Sequence, residues 1–331
     1  MVLHKPALAG QTPLRLEDVN TPLPRPGEVR VRVRVCGVCH TDLHVVEGEL
    51  PLPKLPLVPG HQIVGIVDAL GAGVRKWKKG DRVGIPWLYS TDNSCDYCRR
   101  GSENLCEQAQ FTGYHADGGY AEYALVHEDY AYDIPAIFSD ENAAPLLCAG
   151  VIGYRSYRLS GIRPGEHLGL FGFGASAHLI LQLARHQGCE VSVFTRAQSH
   201  RELARKLGAA WVGAAEENPP EQLHAAIIFA PAGPLVPLAL HHLRKGGTLA
   251  LAGITMSSIP RMDYALLYHE RTIRSVANST RQDVRDFLAL AAEVPVKTEI
   301  QVYDLAQANQ ALQALKESEV HGAAVLRITS N

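Results

Sequence analysis

Apolar and polar positions change rhythm once along the chain. Over Val29-Arg30-Val31-Arg32-Val33-Arg34-Val35 they alternate for seven positions, the period of a strand with one buried face. Residues 62–69 and 81–85 predict two further strands, with Gly and Pro breaking the runs between them. Residues 1–150 therefore predict an all-β module whose loops carry its chemistry. From about residue 165 strand and helix alternate. His167–Phe171 is an apolar run ending at Gly172, after which Ala177, Ile180, Leu181 and Ala184 fall on one helix face. Residues 190–195 predict the second strand, and Ser199-His200-Arg201-Glu202 has the form of a capping box opening a helix that ends at Gly208. Segments 225–229, 248–252 and 272–276 continue the strand series. The fold class expected is α/β, with a doubly wound parallel sheet in 151–279. Residues 280–331 predict two helices and a last strand, 323–328, which we assign back to the first module.

Composition narrows the function classes. A chain of 331 residues exceeds one ordinary core. At 46% hydrophobic, 20% charged and a net charge of −2, nothing favours nucleic acid or an anionic membrane as partner. No run approaches the roughly 20 apolar residues of a membrane helix, and residues 1–6 lack the apolar core of a signal peptide. Three of the seven cysteines crowd into 95–106, a pattern that suits metal binding in a reducing compartment better than a disulfide framework. A cytoplasmic location is the expectation.

Cys39-His40-Thr41-Asp42-Leu43-His44, then Gly60-His61-Gln62, then Cys148 supply metal ligands from separate loops. Two thiolates (Cys39, Cys148) and one imidazole (His61) suit Zn²⁺, and three protein ligands on a tetrahedral ion leave one position for water or substrate. Gly172-Phe173-Gly174-Ala175-Ser176-Ala177 lies between a strand and a helix, the setting of a dinucleotide turn. Gly172 serves the tight turn, Gly174 the approach of a pyrophosphate, and Ala177 is small enough for close helix–strand packing. The second strand ends Phe194-Thr195-Arg196, with Ser199 and Arg201 nearby and no acid at its tip. A carboxylate there would hold the ribose of NAD, whereas Thr195 and Arg196 accommodate a 2′-phosphate, so NADP(H) is expected over NAD(H).

The order Cys-His-Thr-Asp-x-His, Gly-His-x-x-x-Gly, Gly80-Asp81-Arg82-Val83, Gly118-Gly119-Tyr120-Ala121-Glu122-Tyr123, Cys148 and the glycine turn resembles the zinc-containing medium-chain alcohol dehydrogenases, over nearly the whole chain. The resemblance implies a GroES-like β-rich catalytic domain, 1–150 completed by about 280–331, and a Rossmann cofactor domain, 151–279. It implies that Cys39, His61 and Cys148 hold the catalytic zinc, with Asp42 orienting His61 behind it. Thr41 and His44 match the two ends of a proton relay, and His40 matches a residue at the cofactor pyrophosphate. Trp87 falls where bacterial members place an aromatic of the substrate pocket, with Tyr114 and Ile254 as weaker candidates. Asp92, Cys95, Cys98 and Cys106 keep the x₂, x₂, x₇ spacing of a second, structural zinc, with Asp92 standing where the family has a first cysteine. Gln62 stands where the family has Glu, one negative charge fewer behind the metal. Cys36 and Cys189 match no ligand position and are expected as buried thiols.

The function expected is reversible hydride transfer between primary aliphatic or benzylic alcohols, their aldehydes and NAD(P). A cinnamyl-type aldehyde reductase or a polyol dehydrogenase is the alternative within the family, and a non-catalytic cofactor-binding sensor the alternative outside it. A zinc-free quinone reductase is opposed by the intact Cys39, His61 and Cys148. A homo-oligomer, dimer or tetramer, is expected from the resemblance.

Overall fold

The seven-residue alternation belongs to a longer strand, Glu28–Val38, with Val29, Val31, Val33 and Val35 buried. A computed structural model describes residues 1–328. Two of the three intervening arginines, Arg30 and Arg34, are anchored. Arg30 forks onto Asp68 through Nε and Nη2, both at 2.9 Å, and lies 5.1 Å from the ring centre of Tyr123. Arg34 and Arg82 converge on Asp140. The charged half of the pattern thus ties the polar side of the sheet together.

Glu28–Val38 is the hub of a seven-stranded sheet. It pairs antiparallel with Gln62–Leu70, Tyr123–His127 and Ala323–Arg327, and the last of these carries Ile300–Asp304 in parallel. Gln62–Leu70 carries Arg82–Ile85, which carries Tyr132–Asp133. The unit built on this sheet comprises Met1–Cys148, Asn278–Ala292 and the chain from Lys297 onward. Val31, Val33, Ile63, Val67, Val83, Ile85, Val126 and Leu326 share one apolar cluster, each such burial worth about 1.5–3 kcal/mol.

The second unit comprises Ala149–Ala277 and Glu293–Val296. Its six strands run in the spatial order Trp211–Gly213, Glu190–Phe194, His167–Phe171, Leu223–Ile228, Leu243–Leu251, Thr272–Ser275, all parallel. In chain order this is 3-2-1-4-5-6, the doubly wound arrangement whose ligand crevice lies where the winding reverses. His167–Phe171 is buried along its whole length, as a parallel strand covered on both faces must be.

One local expectation is corrected. Ser199 does not open its helix: the helix is Gln198–Lys206, with Ala197 at the N-cap and no side-chain cap. Arg201 N already donates to Ala197 O, and Gln198 reaches Glu202 at 2.9 Å. The Glu of the supposed box is therefore occupied one turn along the helix, and Ser199 lies within the first turn. Among the described residues no helix is long and apolar enough to cross a membrane.

Candidate active site and metal centres

His61 is held by the backbone around it. Gly60 has φ +99°, and a Cβ there would sit 2.4 Å from the Tyr120 ring, so no other residue fits. The N–H groups of Gly118, Gly119 and Tyr120 donate to the carbonyls of Val58, Gly60 and Pro59 at 2.7, 2.9 and 3.0 Å. This ladder is the structural reason for the Gly-Gly-Tyr run.

Cys39 caps the helix His40–Glu47. Asp42, in its first turn, accepts the Cys39 N–H on Oδ2 and meets His61 Nδ1 with Oδ1, both at 2.9 Å. Cys148 follows the turn Ala144–Leu147. These loops bring Cys39 Sγ to 3.4 Å from His61 Nε2 and 3.9 Å from Cys148 Sγ. Burial works against a charged imidazole at His61, but Asp42 and Cys39 outweigh it and hold the pKa up at about 10. The Cys148 sulfur and burial push the Cys39 thiol well above its ordinary range. Thiolate and neutral imidazole are the forms that ligate a divalent metal, so a metal bound among these groups takes the place of their protons.

A second cluster gathers Asp92, Cys95, Cys98 and Cys106, with ligand atoms all within 4.8 Å of one another. The N–H groups of Ser94 and Cys95 both donate to Asp92 Oδ1, at 2.8 and 2.9 Å, and hold this carboxyl well below the usual range. Burial, followed by Asp92, Cys95 and Cys106 nearby, pushes the Cys98 thiol up to about 12.

In the second unit, Gly172 has φ +85° and a Cβ there would crowd Ala230 at 3.0 Å. A Cβ on Gly174 would meet nothing within 4 Å. The glycine is thus not required by protein neighbours, and the space beside it opens at the N-terminus of the helix Ala175–His186, where backbone N–H groups and the helix dipole favour a phosphate. Ala175 and Ser176 are half-buried and Ala177 is fully buried, while the Phe173 side chain is in the core, leaving its backbone to serve. Thr195 is buried at the strand end, Arg201 Nε donates to its carbonyl at 2.9 Å, and Arg196 and Ser199 are exposed.

Residues 25–136 match the alcohol dehydrogenase GroES-like domain and residues 177–293 the zinc-binding dehydrogenase domain. The chain is 47% identical to the probable alcohol dehydrogenase AdhA of Mycobacterium tuberculosis, over 98% of this chain and 96% of that protein. The chain belongs to the zinc-containing alcohol dehydrogenases. A cobalt- and zinc-bound alcohol dehydrogenase of Pyrobaculum aerophilum superposes with a TM-score of 0.91 at 27% identity, covering 99% of this chain and 98% of that one. The Helicobacter pylori CAD complexed with NADP(H) gives 0.85 at 25%, covering 92% and 91%. The chain is thus an NAD(P)-dependent oxidoreductase of the medium-chain superfamily, acting on alcohols with zinc and a nicotinamide cofactor.

The first cluster fits the metal of this dehydrogenase family. Tetrahedral zinc with Zn–S near 2.3 Å and Zn–N near 2.05 Å has edges of about 3.8 Å between sulfurs and about 3.6 Å from sulfur to nitrogen, close to the 3.9 and 3.4 Å observed. Gln62 is 2% exposed, and its Nε2 has no hydrogen-bond partner among the described residues. It packs over Gly37, where a Cβ would lie 2.9 Å from its Cδ.

Thr41 and His44 lie three apart on one helix and so on neighbouring positions of one face. His44 pairs with Glu49 beyond the helix end, a partner that sequence reasoning missed. His40 is exposed, its ring 6.4 Å from that of His44. Trp87 meets His61 edge-on at 4.7 Å between ring centres. It stacks on Phe111 at 5.2 Å and leans on Tyr114 at 5.8 Å, and His115 closes the group at 4.7 Å from Tyr114. Sequence reasoning missed Phe111 and His115; the only available signal was aromatic density in 111–115. Ile254 is exposed in the second unit, and Arg327 pairs with Glu141. Cys36 and Cys189 are buried thiols.

Proposed function

We propose that this enzyme interconverts aryl-substituted primary alcohols and their aldehydes, using a zinc held by Cys39, His61 and Cys148 and NADP(H) as cofactor. The observation that carries the reading is the ligand triangle, with Cys39 Sγ 3.4 Å from His61 Nε2 and 3.9 Å from Cys148 Sγ. When bound, zinc supplies a Lewis acid for the substrate oxygen, and the nicotinamide supplies or takes the hydride.

The chain's own residues do the rest. Asp42 fixes the tautomer and direction of His61. Trp87, Phe111 and Tyr114 form a half-buried aromatic wall beginning at the ligand histidine, which favours an aromatic substrate over a small aliphatic one. Thr41 passes the hydroxyl proton towards His44, which pairs with Glu49. Gly172, Phe173, Gly174, Ala175 and Ser176 cradle the pyrophosphate with backbone N–H groups. Thr195, Arg196, Ser199 and Arg201 form the 2′-phosphate site. Asp92, Cys95, Cys98 and Cys106 hold a second zinc.

All seven cysteines are unpaired thiols, which supports a cytoplasmic location. The homo-oligomeric state is proposed on family resemblance alone. Steady-state turnover of benzyl alcohol and ethanol with NADP and NAD side by side tests the reading. Preference for benzyl alcohol and NADP supports it; equal use of ethanol and NAD refutes the substrate and cofactor choice.

A further inference from the structure

Beside the second metal cluster, Thr91 makes a set of contacts that neither the ligands nor the reaction explain. Its hydroxyl lies 3.4 Å from Cys98 Sγ, 2.6 Å from the Tyr130 hydroxyl and 3.3 Å from Asn93 Oδ1. Tyr130 is fully buried, and the Arg281 guanidinium lies 5.2 Å from its ring centre. Arg281 is fixed there by Glu103, whose Oε1 accepts from Arg281 N at 2.7 Å and from Nε at 3.1 Å. Glu103 is only 2% exposed and stands three residues before Cys106.

A hydroxyl has one proton to give and two lone pairs to accept with. While Cys98 is a thiol, its proton points to Thr91 Oγ1 and the Thr91 proton is directed elsewhere. A metal-ligating Cys98 is a thiolate and has no proton. The one hydrogen bond then possible at this contact runs from Thr91 O–H to sulfur. Thr91 can no longer donate to Asn93, and the Tyr130 phenol must donate to Thr91. A guanidinium against the phenol face draws electron density from the ring and strengthens that donation, and successive hydrogen bonds polarise one another.

We infer that Thr91 and Tyr130 are positioning residues for the second metal, forming a hydroxyl chain under Arg281 that donates a hydrogen bond to the Cys98 thiolate and sets how tightly the cluster holds its ion. The inference rests on the proposal that Asp92, Cys95, Cys98 and Cys106 bind zinc. Hydrogen bonds to a ligating sulfur stabilise its negative charge and fix its direction, and losing such an outer contact weakens metal binding roughly ten- to hundredfold.

The test is zinc transfer from the whole enzyme to a chromophoric chelator, with the variants Thr91→Val, Thr91→Ser and Tyr130→Phe. Wild type should release two zincs per chain in two phases. Thr91→Val should weaken only the phase of the second site, by roughly ten- to hundredfold, Thr91→Ser should restore it, and Tyr130→Phe should weaken it by a smaller factor. With cobalt in that site, the thiolate-to-metal charge-transfer band should move to lower energy in Thr91→Val and return in Thr91→Ser, a shift that a packing defect does not produce. Wild-type release and an unshifted band in Thr91→Val would overturn the inference while leaving the second zinc intact. Equal weakening in Thr91→Val and Thr91→Ser with no band shift would also overturn it, as a packing role only. One zinc per chain in the wild type would remove the second site and the inference with it.

Discussion

Asp42 and His61 form a buried pair, Oδ1 to Nδ1 at 2.9 Å, while the other oxygen of Asp42 holds the Cys39 N–H at the same distance. One carboxylate therefore sets the angle of His61 and the start of the helix that Cys39 caps, and His61 and Cys39 are two of the proposed zinc ligands. Asn in its place keeps an acceptor for the helix but loses the charge that orients the imidazole. Asp42→Asn should weaken zinc binding at the first site by roughly ten- to hundredfold, read by chelator competition, with the far-UV spectrum unchanged. Wild-type affinity would show that the pair is only a cap.

The neighbouring Gln62 is buried with an unsatisfied amide nitrogen. Gln62→Glu has nearly the same shape and adds one negative charge behind two thiolates. We expect unchanged metal content and an alcohol-oxidation pH profile moved towards higher pH, because added negative charge disfavours loss of a proton. A site emptied of zinc would contradict a tuning role for this position.

The aromatic wall makes a separate prediction. Removing Phe111 exposes one face of Trp87 and takes away a stacking surface worth about 0.5–1.5 kcal/mol. Phe111→Ala should therefore lower the ratio of kcat/KM for benzyl alcohol over ethanol by roughly two- to tenfold. If thermal stability falls and the ratio stays, the wall is core packing alone.

Much of this arrangement is legible in the sequence because it rests on local rules. The Val-Arg alternation of 29–35 marks the hub strand, and the glycine run marks the turn between His167–Phe171 and the helix Ala175–His186. Cys39, His61 and Cys148, the proposed zinc ligands, are separated by long stretches of chain, yet their residue types and flanking motifs nominate them and the fold brings them together. What stays hidden depends on side chains meeting across the fold. No periodicity pairs Phe111 with Trp87 or Thr91 with Tyr130, because those meetings are set by how loops return to the sheet. Ser199 shows the opposite failure: a local pattern matched, but the Gln198–Glu202 pair and the Arg201 N–H donating to the Ala197 carbonyl start the helix earlier.

The cofactor unit should lose stability in mild acid. His167 is buried in the central strand, with Nε2 2.8 Å from Ser192 Oγ. Burial lowers its pKa, and Glu190 and Glu221 only partly oppose this. Burial also lowers His242, which bonds Ala215 O through Nε2. The unfolded chain takes up these protons near pH 6.5, before the folded form does. The contribution to stability is thus complete above about pH 6.5 and is lost as the pH falls from there towards the depressed folded values. Denaturation of wild type and His167→Asn at pH 7.5 and 5.5 checks this: the variant should lose less stability across the interval, and an equal loss would remove His167 as a cause.

In the proposed site, Cys148 completes a catalytic zinc centre with Cys39 and His61. Metal content measured together with benzyl alcohol turnover on Cys148→Ala tests it most directly. Cys148→Ala should lose one zinc per chain relative to wild type and lose turnover, with the second zinc retained. A Cys148→Ala enzyme that keeps its full zinc content and its turnover would contradict it.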